Sequence, residues 1–84
     1  MNQKTIVDTL RKAGATVNSL SAVGNGVPDL LVGFNGRSYL LEIKNGLGLT
    51  PMEEKWFSLW AGGPAYVVGS PEAALKFMME LPPS

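Results

Sequence analysis

The stretch DLLVGFNGRSYLLEIK, residues 29–44, sets two apolar runs on either side of Asn35-Gly36. Asparagine and glycine both accept positive φ, as the two central residues of a tight hairpin turn require, so the stretch predicts strands Asp29 to Phe34 and Arg37 to Lys44 joined as a β-hairpin. Side chains alternate along a strand, which places Glu42 and Lys44 on one face and Tyr39, Leu41 and Ile43 on the other. Asp29 stands six residues before Asn35 and Glu42 six after Gly36. A tight turn therefore makes the two acids approximate cross-strand neighbours.

Upstream, Ile6, Val7, Leu10 and Ala13 recur at helical spacing between Gln3 and Ala13, and Gly14 follows where a left-handed C-terminal cap belongs. Ala15 to Leu20 reads as extended, and Ser21 to Pro28 (SAVGNGVP) as a loop of turn formers. Gly24-Asn25-Gly26 supplies the bend before Asp29; it lacks the Gly-Lys-Ser/Thr ending of a phosphate-binding loop. Downstream, Asn45 to Leu49 is a second flexible connection. Thr50, Pro51 and Glu53 then form an N-cap, a first-position proline and the N3 acid of a capping box. The helix they start carries Trp56, Phe57 and Trp60 at a spacing that predicts packing into the core. Ala65 to Val68 reads as a last strand. Ser70 and Pro71 open a last helix with Ala74, Leu75, Met78 and Met79 as apolar positions, and Leu81 to Ser84 reads as a frayed tail. The order predicts one α/β domain over residues 1–84, a mixed central sheet flanked by helices.

Composition narrows the chemistry. The chain has 84 residues, no cysteine and no histidine, which removes thiol nucleophiles, the usual zinc sites and Ser-His-Asp triads. Any metal must be held by oxygen, which points to magnesium or manganese. Seven basic and seven acidic residues give zero formal charge, an argument against a broad basic surface for non-specific nucleic-acid binding. No apolar stretch approaches the length of a membrane span and no leader-like segment opens the chain, so a soluble, cytoplasmic protein is expected. So short a chain without disulfides gains from a metal or a partner subunit, which favours a homodimer.

Two adjacent carboxylates repel unless a cation sits between them. Asp29 and Glu42 are thus the candidate Mg2+ or Mn2+ ligands, with the peptide carbonyl of Ile43 as a third. Lys44 is the candidate to steady an attacking water or a negatively charged transition state. The bland alternative has Glu42 and Lys44 as an exposed ion pair on a solvated strand and Asp29 as a turn terminator. Pairing of the two acids across the hairpin favours the site. Glu53-Glu54-Lys55 repeats the acid-x-Lys pattern at a helix start, where first-turn acids suit the helix dipole, and reads as structural. Gln3, Ser21 and Lys55 are supporting candidates for water or phosphate contacts.

With Pro28-Asp29 followed by Glu42-Ile43-Lys44, the sequence resembles the PD-(D/E)xK nuclease superfamily. From the glycine before Pro28 through the Thr50-Pro51 helix start to the last strand, it resembles more narrowly the virus-type replication-repair nuclease (VRR-NUC) family, over nearly the whole chain. The resemblance implies a restriction-endonuclease-like α-β-β-β-α-β core and divalent-metal dependence, with DNA as substrate. It also implies a dimeric enzyme acting on branched DNA such as Holliday junctions, in the host-cell cytoplasm if viral. Two positions depart from the family pattern. Gln3 stands where members commonly carry a metal-supporting glutamate, and Glu53 where they carry glutamine. A non-catalytic DNA- or protein-binding module of the same fold is the alternative.

Overall fold

The computed structural model describes residues 3–44, 46 and 48–81. Helix α1 (Gln3–Lys12) is followed by β1 (Thr16–Ser19), β2 (Leu30–Phe34), β3 (Arg37–Ile43), α2 (Pro51–Leu59), β4 (Ala65–Val68) and α3 (Pro71–Glu80). The strands form one mixed sheet in the order β1-β2-β3-β4, antiparallel except for the parallel pair β3 and β4. The α/β class with flanking helices is as expected. The predicted connection at 45–49 is described only in part, and 82–84 of the predicted tail lie outside the described residues. Leu81 is the C-cap of α3, its amide donating to the Phe77 carbonyl, and it packs against the core.

Local chemistry accounts for the boundaries. Asn35 (φ 55°) and Gly36 (φ 78°) both take the left-handed conformation, which joins β2 to β3 through two residues and fixes Phe34 opposite Arg37 and Leu30 opposite Leu41. Gly14 ends α1 with φ 103°, and the Ala15 amide returns to the Leu10 carbonyl. At α2 the capping box is complete: Glu53 N–H donates to Thr50 Oγ1 (3.2 Å) and Thr50 N–H to Glu53 Oε1 (2.8 Å). Ser70 caps α3 through the Ala73 amide.

The core lies on one side of the sheet only. Ile6 and Leu10 of α1 and Ala74 and Met78 of α3 pack on Val17, Leu30, Val32, Tyr39, Leu41 and Val68, all buried. Tyr66 adds a ring stacked on Phe77 with centroids 4.6 Å apart. Within α3, Met79 turns outward.

The opposite side corrects the expectation for α2. That helix buries no residue and touches the other elements only sparsely. Trp56 and Phe57 are half-buried and Trp60 is 43% exposed. The aromatic residues pack on one another instead: Trp56 stacks on Trp60 at 4.8 Å and meets Phe57 edge-on at 5.1 Å. Trp60 also folds back to donate from its indole to the Gly63 carbonyl at 2.7 Å. Leu31 and Val67, pointing to this side of the sheet, remain 37% and 41% exposed. Among the described residues no helix is long and apolar enough to cross a membrane.

Candidate metal centre

The hairpin register runs on past its last paired residues. Leu30 faces Leu41, so the next step puts Asp29 beside Glu42. Asp29 is clamped from both flanks: its carbonyl accepts from Leu20 N–H (2.8 Å), and its Oδ2 accepts from Ile43 N–H (2.8 Å). The side chain thus takes the place of the next rung of the β2–β3 ladder and is fixed against the neighbouring strand. Pro28, fully buried, anchors the chain just before it.

Glu42 is 2% exposed, the only buried charged residue among those described. It faces away from Leu41 and the core, toward α2, as strand alternation requires. Burial first, and then the negative charges of Asp29 and Glu53, push its pKa up to about 8. Its contacts with those two acids are acid-to-acid and close as hydrogen bonds only when a proton is shared. Once ionised, Glu42 has an Oε1 that is buried without a donor among the described residues. Such a group is costly unless a cation compensates it.

Lys44 supplies part of that compensation. Its Nζ lies 3.8 Å from Glu42 Oε2 and 2.8 Å from Glu53 Oε1. The hydrogen bond to Glu53 chiefly raises the ammonium's pKa. For Glu53, burial works upward but is outweighed by the bonds from Lys44 and from the Thr50 amide, which bring the carboxyl down to about 2. Glu53 is therefore an anion locked to a cation, whereas Glu42 behind it is the poorly compensated one.

The structure thus brings Asp29, Glu42, Ile43 and Lys44 together, and adds Glu53, which the sequence had marked only as a helix cap. The acid-x-Lys triplet at 53–55 is structural in its capping box but not only structural. The supporting candidates divide. Gln3 Nε2 donates to Ser19 Oγ at 3.3 Å, and Ser19 and Ser21 share a hydroxyl bond of 2.9 Å, a polar string at the end of β1 flanking Asp29. Lys55 stays out of the cluster, exposed on α2 beside Asn25, Met52 and Trp56.

A turn sets where α2 begins relative to the acids. Gly24 (φ 73°), Asn25 (φ 57°) and Gly26 (φ 80°) are consecutive left-handed residues, and a Cβ on Gly26 would collide with the carbonyl of Met52. Gly26→Ala is therefore expected to destabilise the protein by about 2–4 kcal/mol, combining positive-φ strain with overpacking. Urea unfolding would measure it, and a loss below about 0.5 kcal/mol, the scatter of ordinary surface substitutions, would show that the turn does not hold the helix.

The donor set suits a hard divalent ion. It offers two carboxylates, one at the start of β2 and one on β3, the latter with a buried oxygen that has no donor among the described residues. Among the described residues no ready-made cage of three or more acidic, histidine or cysteine ligands is present, so such a site would have water complete the coordination, as is common for magnesium. Comparison with protein-family models, with curated proteins and with solved structures finds no match for this chain.

Proposed function

We propose that the chain is a divalent-metal-dependent DNA endonuclease of the PD-(D/E)xK type, similar to VRR-NUC domains. The observation that carries the reading is Glu42, a buried carboxylate set against Asp29 with one oxygen that has no donor among the described residues and an ammonium beside the other. The motif Pro28-Asp29 with Glu42-Ile43-Lys44 supports it. So does the element order through β4, which is the α-β-β-β-α-β order that the resemblance implies. DNA as the substrate, branched DNA in particular, is supported by the resemblance alone.

In this reading Asp29, Glu42 and the Ile43 carbonyl hold Mg2+ or Mn2+. When bound, the ion supplies Lewis acidity toward the scissile phosphate and the attacking water. The Ile43 amide keeps Asp29 turned toward its partner. Lys44 donates from Nζ to oxygen on which negative charge develops. The homodimer belongs to the same proposal, because a small domain with its core on one side of the sheet gains most from a second copy. Analytical ultracentrifugation tests that part.

The decisive experiment pairs calorimetry with Mn2+ and cleavage of duplex, flap and four-way-junction DNA. Asp29→Ala is expected to remove the binding heat and to lower cleavage on the order of 10³-fold, the scale of a lost electrostatic element of an active site. Cleavage that continues in EDTA would refute the reading. An inert binding module of the same fold predicts no Mn2+ heat that depends on Asp29.

A further inference from the structure

The Glu53 carboxylate is engaged twice through one oxygen. Its Oε1 accepts from the Thr50 amide at 2.8 Å and lies 2.8 Å from Lys44 Nζ. Side-chain exposures of 16% for Glu53 and 24% for Lys44 place the pair under cover rather than out in solvent. Lys44 reaches past it to within 3.8 Å of Glu42 Oε2. The ammonium is thus a bridge between an acid of the strand and an acid of the helix start.

Resting on the reading of Asp29 and Glu42 as cation ligands, we infer that Glu53 is a positioning residue that anchors and neutralises Lys44, so that the ammonium stays beside Glu42 without driving a divalent cation off it. The physical need is plain. An ammonium and a divalent ion sharing one carboxylate repel each other, and the repulsion is strong where solvent is mostly excluded. A second carboxylate bonded to the ammonium offsets it and fixes where the amine points. A lysine with no such partner would either swing into solvent or settle fully on Glu42, in competition with the ion. The thermodynamic consequence is that cation affinity depends on a residue of α2 that need not ligate the ion.

Glu53→Gln removes the charge that anchors Lys44 while glutamine at the N3 position still accepts from the cap amide and keeps the capping box; because Glu53 also contacts Glu42 directly, the Lys44→Met background reads the part of the effect that runs through the ammonium. Titration of the full chain with Mn2+ is expected to show affinity weakened about tenfold, within the coupling found among residues of one ion-pair network. Glu54→Gln, which removes an equal charge from the same turn, leaves the affinity unchanged. Adding Lys44→Met to Glu53→Gln removes the unneutralised ammonium and restores the affinity. In the cation-free protein, the Lys44 ammonium resonance, sharpened by its hydrogen bond, is expected in NMR spectra of the wild type and lost in Glu53→Gln. If Glu53 is only a cap, Glu53→Gln binds Mn2+ like the wild type and keeps that resonance, and the inference is overturned while the cation site stands. Absence of any Mn2+ heat that Asp29→Ala removes overturns the cation site itself and this inference with it.

Discussion

Glu42→Gln is expected to yield a protein that is more stable and inactive. The wild-type carboxyl ordinarily titrates at 4.5 and is raised to about 8 in the fold, by burial and by the neighbouring acids. Between those values the native state holds a proton that the unfolded chain has released, so native stability falls as pH rises from about 4.5 and the loss is complete above about 8. At about 1.4 kcal/mol per unit the full effect is on the order of 3–5 kcal/mol, a large share of what a small domain has. Glutamine keeps the shape, carries no charge and brings N–H donors that can face Asp29 and Glu53. In EDTA at pH 8 the variant is therefore expected to unfold at higher urea than the wild type, by about 2 kcal/mol, with the difference shrinking toward pH 5. Divalent ion should stabilise the wild type and not the variant. Cleavage should fall on the order of 10³-fold. A variant less stable than wild type at pH 8 in EDTA would mean that Glu42 is not an undercompensated charge.

Lys44→Met is expected to separate turnover from binding. The ammonium lies 2.8 Å from Glu53 and 3.8 Å from Glu42, beside the acid pair rather than in the core, so its loss removes charge stabilisation without emptying a packed site. The expected result is a kcat lower by about 10²–10³-fold with KM and DNA affinity little altered, the pattern of an interaction made mainly in the transition state. Cation affinity should not weaken, since a positive neighbour has been removed. Arginine is not an equivalent replacement, because its planar fork cannot occupy the point position of an ammonium held between two carboxylates. If KM rises while kcat holds, Lys44 serves ground-state binding and the transition-state role fails.

The acid pair was legible in the sequence for a local reason. A two-residue Asn-Gly turn fixes the register of everything attached to it, so counting six residues out on each side was enough to set Asp29 beside Glu42. Strand alternation then gave Tyr39 and Leu41 to the core and Glu42 to the other side. The capping box was legible too, being a pattern within four residues. What could not be read was the placement of α2. Helical periodicity reports that Trp56, Phe57 and Trp60 are apolar, not what they meet. Here they meet each other, because the sheet's core side is already filled by α1 and α3. The approach of Glu53 to Lys44 and Glu42 could not be read for the same reason. It depends on a tertiary approach set by Gly26 against Met52, which no spacing within α2 encodes.

Because α1 and α3 load their apolar side chains onto a single surface of the sheet, the packed core and the Glu42–Glu53–Lys44 cluster lie on opposite sides of it. Leu31 and Val67 stay partly exposed on the other side, where Val67 lies opposite Glu42 in the β3–β4 register. Substitutions there are affordable in a way that changes at Leu30, Leu41 or Val32 are not. The surroundings of the acid cluster can thus be varied by mutation from that side without first eroding the packed core.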